Sequence, residues 1–289
     1  MIRRLYLGCP QWSDPARPGR FLPDGTGGSG QPFLAAYSRL FNTAEGNTSF
    51  YAIPSADAVL RWRQQTAPGF RHSFKFHRSI THEGRLVDNI EAARTFIERF
   101  DVLEEMLGPF LIQLPPTFAP ERMGELEAFI TALPRHRRYA LEVRHPRFYD
   151  RAQVEAALEA LLVRHDLARS CFDARALFGS ACDDVHTREA RQRKPQLPVR
   201  TGVSGGQPYI RYVGSHVLAD NEPWLRPWAR VVSRWLADGM TPYFFLHMPD
   251  NAQAPALAAM FHALLKEQCS DIGDIDWPVP ATGRQGSLF

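Results

Sequence analysis

The stretch RYALEVRHPRFY, residues 138–149, combines the pattern of a buried β-strand with two charges on one of its faces. Successive side chains of a strand point to opposite sides of the sheet, so Tyr139, Leu141 and Val143 share one face. Glu142 and Arg144 share the other. Because burying an unpaired charge costs several kcal/mol, a strand that only filled a core would avoid it. The stretch therefore predicts a strand whose second face lines a polar interior.

Short apolar segments alternate with amphipathic helical segments along most of the chain, which is typical of a parallel sheet with helical crossovers. Eight strands are predicted, at residues 4–9, 41–47, 71–77, 109–115, 138–144, 168–173, 209–214 and 242–248. Helices are predicted at residues 55–66, 89–107, 121–132, 150–165, 223–238 and 254–267. We therefore predict an α/β fold with a TIM-like (β/α)8 barrel. A doubly wound open sheet is the alternative, but no G-x-G-x-x-G follows the first strand.

The composition is that of a folded globular protein. The chain has 289 residues, of which 44% are hydrophobic and 22% are charged, and its formal net charge is +3. These values argue against disorder, and the small excess of basic residues is too mild to indicate nucleic-acid binding by itself. No apolar run approaches the roughly 18 residues that cross a bilayer, so no membrane association is expected.

The four cysteines, Cys9, Cys171, Cys182 and Cys269, are far apart in the sequence. There is no C-x-x-C pair and no signal-like apolar N-terminus. Neither a disulfide framework nor a cysteine zinc site is therefore expected. We expect a cytoplasmic protein with free thiols.

One barrel domain is predicted over residues 1–270, followed by a flexible tail over residues 271–289. Within the barrel domain, the connection from about 174 to 206 is much longer than usual loops. It is rich in basic residues, namely Arg175, Arg188, Arg191, Arg193, Lys194 and Arg200. Two interpretations stay open: a solvated insertion, or a basic flap over the barrel mouth that contacts phosphate.

The same two-residue alternation turns polar residues of the other strands toward one interior. They are Glu45, Asn47, Lys75, His77, Gln113, Asp173, Arg211 and His247. In eight-stranded barrels the active site lies at the C-terminal ends of the strands, which is where these residues fall. An ion-pair network that only braces the barrel is the alternative, although apolar side chains would fill the space at a lower desolvation cost.

Three cations of this polar set are suited to holding an anionic ligand. Lys75, Arg144 and Arg211 would grip a phosphate or carboxylate group, since guanidinium groups bind such anions bidentately. The other ligand-binding candidates are Asn47, Tyr51, Gln113, His145 and His247. Together they predict a phosphate-containing ligand at the barrel mouth.

The carboxylates and imidazoles are the candidate catalytic groups. Glu142, with His77 or His82, would act as general base or acid if burial moves its pKa toward neutrality. Glu45 and Asp173 complete the catalytic candidates as orienting groups. A metal site built from the same carboxylates and histidines is less favoured, because no H-E-x-x-H or comparable spacing occurs. The sequence identifies no cofactor.

At these same residues the chain resembles the domain of unknown function 72, or YecE-like, family of barrel proteins. The motifs that carry the resemblance are E-x-N-x-S-F-Y at residues 45–51, QLPP-x-F at 113–118 and E-x-R-H-P at 142–146. The resemblance covers most of the chain and implies a TIM-like barrel. The family has no settled activity, so the resemblance adds little about the reaction. A fold-level likeness to apurinic endonucleases of the xylose-isomerase-like class is an analogy only.

The matching positions implied by the resemblance are Glu45, Asn47, Phe50, Tyr51, Lys75, Thr81, His82, Arg85, Gln113, Pro115, Pro116, Glu142, Arg144, His145 and Arg211. The chain departs from one common form of the family at two places. Val213 stands where a histidine often follows the seventh strand, and LHMPD at 246–250 replaces an ending with an asparagine pair. Roles that rest on those two positions are therefore not carried over.

The chain ends in QGSLF, residues 285–289, which looks like the Q-x-x-L-F pentapeptide by which bacterial replication and repair proteins bind the sliding clamp. A tail rich in Gly and Pro would present Leu288 and Phe289 to an apolar pocket, with Gln285 as a polar anchor. A chance match of five residues is the alternative. The motif predicts the sliding clamp, and through it DNA, as partners.

Three functions remain open at this point. The first is a DNA-associated barrel protein, a nuclease or lesion-processing enzyme that hydrolyses phosphoester bonds and docks to the clamp. The second is a small-molecule enzyme that acts on a phosphorylated or carboxylated metabolite in the same pocket. The third is a ligand-binding protein without catalysis.

Overall fold

The computed structural model describes residues 5–12, 33–251, 253–273 and 275 of the chain. Eight parallel strands form one sheet in this part of the chain. They are β1 (Tyr6–Cys9), β2 (Thr43–Gly46), β3 (Arg71–Phe74), β4 (Phe110–Gln113), β5 (Tyr139–Glu142), β6 (Ala168–Asp173), β7 (Tyr209–Val213) and β8 (Tyr243–His247). Each lies inside a predicted range, so all eight predicted strands are confirmed.

The sheet curls into a nearly closed TIM-like barrel. Its hydrogen-bonded strand order is β3-β2-β1-β8-β7-β6-β5-β4, which leaves β3 and β4 at the closing seam. Two isolated bridges span that seam, between His72 and Leu107 and between Lys75 and Leu111. The amide of Phe76 also donates to the carbonyl of Leu111 at 3.1 Å. The predicted fold class is therefore confirmed over the doubly wound alternative.

Helices surround the sheet. Within the described residues they are α1 (Phe33–Leu40), α2 (Ala56–Gln65), α3 (Arg78–Thr81), α4 (Ile90–Glu98), α5 (Met123–Ala132), α6 (Ala152–Arg164), α7 (Arg175–Gly179), α8 (Val185–Arg193), α9 (Glu222–Ala237) and α10 (Ala254–Lys266). The six predicted helices are present, and the Ser55 hydroxyl caps α2 by accepting from the amide of Ala58 at 3.2 Å. None of the helices described is both long and apolar enough to span a bilayer.

One predicted helix and one predicted loop need correction. The helix expected over 89–107 ends at Glu98, and a 3₁₀ segment at 101–106 follows, in which Glu104 adopts a φ of 49°. Since a non-glycine residue rarely adopts that left-handed conformation, the α-helix cannot continue through it. The connection at 174–206, expected to be a long loop, contains α7 and α8. Asp184 begins α8 by accepting from the amides of His186 and Thr187.

The arginines of the 174–206 connection are mostly engaged within the protein. Four of them form ion pairs, Arg175 with Asp173, Arg188 with Asp183, Arg193 with Glu189, and Arg200 with Glu155. Arg191 donates to the backbone carbonyls of Leu177 and Ser180. The connection is therefore less available as a basic surface than its composition suggests.

The barrel interior has an apolar lower half and a polar upper half. Near the N-terminal ends of the strands it is filled by Tyr6, Leu111, Ala140, Ala168, Tyr209, Tyr243 and Phe245. Further along, the register pairs Gln113 with Glu142 across β4 and β5. Arg211 follows Tyr209 by two residues on β7 and so faces the same interior. The apolar layer thus forms a floor beneath polar groups at the C-terminal mouth.

Candidate functional site

Arg211 is the centre of a buried ion-pair network at the mouth of the barrel. Its Nε donates to Glu45 Oε1 at 2.5 Å, and its Nη1 donates to Glu142 Oε2 at 2.6 Å. A third bond joins its Nη2 to Glu45 Oε2 at 3.2 Å. All three side chains belong to residues that are at most 2% exposed. One guanidinium therefore ties the carboxylate of β2 to that of β5 across the barrel.

Glu142 is held as a carboxylate by its neighbours. Its Oε1 accepts from Gln113 Nε2 and from Arg144 Nε, each at 2.7 Å. Burial alone would raise its pKa, but the charges of Arg211 and Arg144 outweigh burial and hold the pKa at about 2. The pKa thus moves away from the neutrality that a general acid or base needs. The geometry favours a role for Glu142 in positioning the two arginines.

Glu45 is fixed in the same way on the opposite side of Arg211. Its Oε2 accepts from Asn47 Nδ2 at 2.8 Å, and its Oε1 accepts from the Tyr209 hydroxyl at 3.2 Å. His247 Nε2 lies 3.2 Å from Glu45 Oε2. Burial raises the pKa of Glu45, but Arg211 and His247 hold it well below its usual range. Burial also lowers the pKa of His247 to about 4, so its imidazole is neutral at pH 7.

Lys75 carries a buried amine without a carboxylate partner among the described residues. Its Nζ lies 3.4 Å from the centroid of the Phe50 ring, and the residue is 7% exposed. Neither a hydrogen bond nor an ion pair joins this Nζ to the described chain. Burial, followed by the positive charges of Arg211 and Arg144, lowers the pKa of Lys75 to about 6. The amine is therefore mostly neutral at pH 7 unless an anion approaches it.

Lys194 reaches the same region from the connection between β6 and β7. It follows directly on α8 and is half-buried. Burial and then the charges of Arg211 and Arg144 lower its pKa to about 8, which places its amine within electrostatic reach of the network. Lys194 thus interacts electrostatically with the network. The flap interpretation and its phosphate contact stay predictions.

The fixed charges at the mouth balance, but two amines are left without a carboxylate partner among the described residues. Glu45 and Glu142 supply two negative charges, and Arg144 and Arg211 match them with two positive charges. Lys75 and Lys194 are then left over, each with a lowered pKa. A group that carries two negative charges would favour protonation of both amines and balance the two positive charges that this adds.

Aromatic rings complete the walls of this region. The guanidinium carbons of Arg211 and Arg144 lie 5.6 and 5.8 Å from the centroid of the Phe172 ring. His82 packs edge-on against Phe50, with 4.9 Å between the ring centroids. Burial and then the charge of Lys75 lower the pKa of His82 to about 4. His82 therefore lies beside the network as a neutral imidazole.

Most of the residues proposed from the sequence converge on this network. They are Glu45, Asn47, Lys75, Gln113, Glu142, Arg144, Arg211 and His247, with His82 beside them. The catalytic and binding roles proposed for them stay predictions.

Four of the proposed residues make no hydrogen bond or ion pair with this network. His77 and His145 begin short helical turns, and their Nδ1 atoms accept from the amides of Ser79 and Arg147. His77 makes no hydrogen bond or ion pair with the network, since the pairing of its segment with Leu111 ends at Phe76 and His77 begins a helical turn. Tyr51 is 73% exposed.

The expected inward direction of Asp173 is wrong. Its carboxylate accepts from Trp228 Nε1 at 2.7 Å and from Nε and Nη2 of Arg175. These partners lie on the helix side of the strand. Its neighbour Phe172 takes the inward position, so alternation turns Asp173 outward. Asp173 therefore braces the barrel wall and does not join the network.

Two further residues of the site, Tyr209 and Phe172, were not proposed from the sequence. Tyr209 shares a hydrogen bond of 2.9 Å with Ser73 beneath Glu45, and Phe172 lies beside the arginines. Counting back two residues from Arg211 would have found Tyr209. The proposed partner-binding residues Gln285, Leu288 and Phe289 lie outside the described residues, so clamp binding stays a prediction.

Comparison with known proteins identifies similar chains along nearly the whole length. A family model described as "Protein of unknown function DUF72" matches residues 6–282. The UPF0759 protein YecE of Escherichia coli (strain K12) is 35% identical over 285 residues, which cover 99% of this chain and 100% of YecE. YecE of Escherichia coli O157:H7 is 34% identical with the same coverage.

Two solved structures share the fold. A DUF72 family protein from Enterococcus faecalis V583 superposes with a TM-score of 0.67 at 13% identity, covering 91% of this chain and 95% of that one. A DUF72 family protein from Thermotoga maritima MSB8 gives a TM-score of 0.64 at 18% identity, covering 91% and 99%. At such identities the likeness concerns the fold alone.

Proposed function

We propose that this chain, which belongs to the DUF72 family of proteins of unknown function, binds a small dianionic ligand at the barrel mouth. The ligand class is a phosphate monoester or a dicarboxylate. The observation that carries the proposal is the buried Lys75 amine, which has no carboxylate partner among the described residues and lies beside two arginines.

Charge balance supports a dianion over a monoanion. The arginines are already matched by Glu45 and Glu142, so a ligand meets the two lysines as the unmatched groups. A phosphate monoester carries about −1.5 to −2 charges at pH 7, whereas an internal phosphodiester of DNA carries about −1. Binding of a dianion would thus pair both amines and raise both pKa values.

The depth of the cations favours a small ligand over a duplex. Arg211 is 2% exposed and Lys75 is 7% exposed, so an anion has to enter the barrel to touch them. The backbone of duplex DNA is held at the protein surface, mostly by exposed Lys and Arg. The arginines of the 174–206 connection are engaged in ion pairs or with backbone carbonyls. DNA would therefore bind at this site only through a terminal phosphate group that enters the barrel.

If the ligand is converted, Lys75 is better suited than Glu142 to exchange a proton. A general base works best with a pKa near the operating pH, and the pKa of Lys75 is about 6 whereas that of Glu142 is about 2. A buried amine with a lowered pKa is also a stronger nucleophile than an ordinary lysine. Glu142 and Glu45 would then keep the arginines in place.

The test is calorimetric titration at pH 7 with five probes. They are inorganic phosphate, glycerol phosphate, malonate and a single-stranded oligonucleotide with or without a 5′-phosphate. The variant Lys75→Met keeps an unbranched side chain of similar length and removes the amine. Lys266→Met, which removes a lysine at the end of α10, is the matched control.

We expect at least one small dianion to bind, and Lys75→Met to weaken it about 10- to 100-fold, which is the effect of one charge-assisted hydrogen bond. Lys266→Met should bind as the unaltered protein does. Selective binding of the 5′-phosphorylated oligonucleotide would identify a nucleic-acid end as the source of the anion. The proposal is wrong if no probe binds, or if Lys75→Met binds as tightly as the unaltered chain.

A further inference from the structure

A second cluster of reactive side chains lies outside the Arg211 network, after the ends of β6 and β7. Cys182 Sγ lies 2.8 Å from Asp184 Oδ2, and His216 Nδ1 lies 2.8 Å from the same oxygen. One ligand atom from each of the three residues lies within 4.8 Å of the others. The three residues are partly exposed, so an ion from solvent can reach them.

His216 has a second carboxylate near its other ring nitrogen. Its Nε2 lies 3.8 Å from Asp250 Oδ2, on the side of the ring opposite to Asp184. Histidines that bind a metal through one nitrogen usually direct the other toward a carboxylate or carbonyl, which fixes the ring and its tautomer. His186 packs edge-on against the same ring, with 5.8 Å between the centroids. The ring is therefore held in place from two sides.

Asp184 has a structural role that does not account for the whole cluster. As the N-cap of α8, its Oδ1 accepts from the amides of His186 and Thr187, and its Oδ2 accepts from the Thr187 hydroxyl at 2.6 Å. Those contacts complete the helix cap. The additional approach of a thiol and an imidazole to Oδ2, from separate parts of the chain, is not needed for capping.

We propose that Cys182, Asp184 and His216 bind a Zn²⁺ ion. Thiolate, imidazole and carboxylate are the ligands that zinc takes in proteins, at bond lengths of about 2.0–2.3 Å. A tetrahedral ion with such bonds separates its ligand atoms by roughly 3.3–3.8 Å, so the two pairs at 2.8 Å open by less than about 1 Å on binding. Zinc takes the place of the thiol proton, which is released to solvent.

Three protein ligands leave the fourth tetrahedral position to water, which is the arrangement of catalytic zinc sites. His216 and Asp250 follow β7 and β8, so the ion would lie at the same end of the barrel as the Arg211 network. The spacing from Cys182 to His216 matches no zinc motif, and the sequence was therefore expected to lack a cysteine zinc site. Tertiary folding brings the ligands together without a local pattern.

The test is metal binding by the full-length chain after removal of metal with a chelator. Zn²⁺ affinity is measured by competition with a chromogenic chelator, and Co²⁺ is used as a spectroscopic probe of thiolate ligation. The variants are Cys182→Ser, His216→Ala and Asp250→Asn. His136→Ala, which removes an exposed histidine, is the control. Circular dichroism confirms that each variant is folded.

We expect one Zn²⁺ per chain and a thiolate-to-cobalt absorption band in the unaltered protein and in His136→Ala. Cys182→Ser should abolish the band and weaken Zn²⁺ binding by more than about 100-fold, because loss of a ligand exceeds the effect of an outer-shell change. Asp250→Asn should weaken binding about 10- to 100-fold. Absence of stoichiometric binding, or equal affinity of Cys182→Ser and the unaltered chain, would overturn the proposal.

Discussion

Replacement of Lys75 by methionine should stabilise the folded protein. Burial and the neighbouring arginines lower the pKa of this amine from 10.5 to about 6. At pH 7 the folded chain therefore keeps the amine mostly neutral, whereas the unfolded chain protonates it. The difference between 10.5 and pH 7, at about 1.4 kcal/mol per unit, destabilises the folded state by roughly 5 kcal/mol. Methionine removes this penalty, and imperfect packing of the new side chain offsets up to about 1.5 kcal/mol.

The expected net gain at pH 7 is therefore at least about 3 kcal/mol in the free energy of unfolding. Because the unfolded state binds the additional proton between pH 6 and pH 10.5, the stability contributed by this group rises with pH throughout that window. The advantage of Lys75→Met should thus shrink by about 1.4 kcal/mol per pH unit as the pH rises from 7 toward 10.

Urea denaturation of both proteins at pH 7, 8 and 9, in phosphate-free buffer, measures this difference. Lys266→Met serves as the control, with an expected change below about 1 kcal/mol for a cation at the end of a helix. A Lys75→Met protein that is less stable than the unaltered chain at pH 7 would refute the assignment of a buried, unmatched amine. So would a stability difference that stays constant with pH.

Three other changes have defined outcomes. Arg211→Met should destabilise the protein by about 3–5 kcal/mol in denaturant unfolding, because it leaves Glu45 and Glu142 buried without their shared partner. Arg226→Met, which removes a partly exposed arginine from surface ion pairs, should have little effect. Glu142→Gln should tighten dianion binding about tenfold in calorimetry, since it frees one positive charge, and weaker binding would contradict the charge balance. Deletion of 285–289 should abolish binding to purified sliding clamp in surface plasmon resonance, and unchanged binding would remove that predicted partner.

The fold was accessible from the sequence because each strand of the barrel carries its own signal. Tyr139, Leu141 and Val143 had to be apolar to pack against the helices, which fixed the face on which Glu142 and Arg144 lie. The same alternation placed Lys75, Gln113 and Arg211 correctly on the inside.

Strand alternation failed in two situations. Either the strand had ended, or the wrong one of two neighbouring residues was taken to face inward. His77 lies beyond the end of β3, and a short helical turn sets its direction. Of the neighbours Phe172 and Asp173, Phe172 faces inward, which is seen from its packing against Arg211. Alternation also gives no signal for Lys194, which directly follows α8, a helix whose Ala190 belongs to one apolar cluster with Phe172. Contacts between segments far apart in the chain therefore set the side-chain positions that the sequence pattern could not predict.

The pKa of Lys75, measured with and without a bound dianion, tests the unmatched charge at the mouth most directly. The chain contains three lysines, Lys75, Lys194 and Lys266, so their ¹³Cε signals in a lysine-labelled sample are assigned by comparison with Lys75→Met. We expect a pKa of about 6 in the free protein and a rise of at least about one unit when sulfate or the tightest-binding probe saturates the site. An ordinary lysine pKa in the free protein, or a pKa that the bound anion leaves unchanged, would contradict the proposed site.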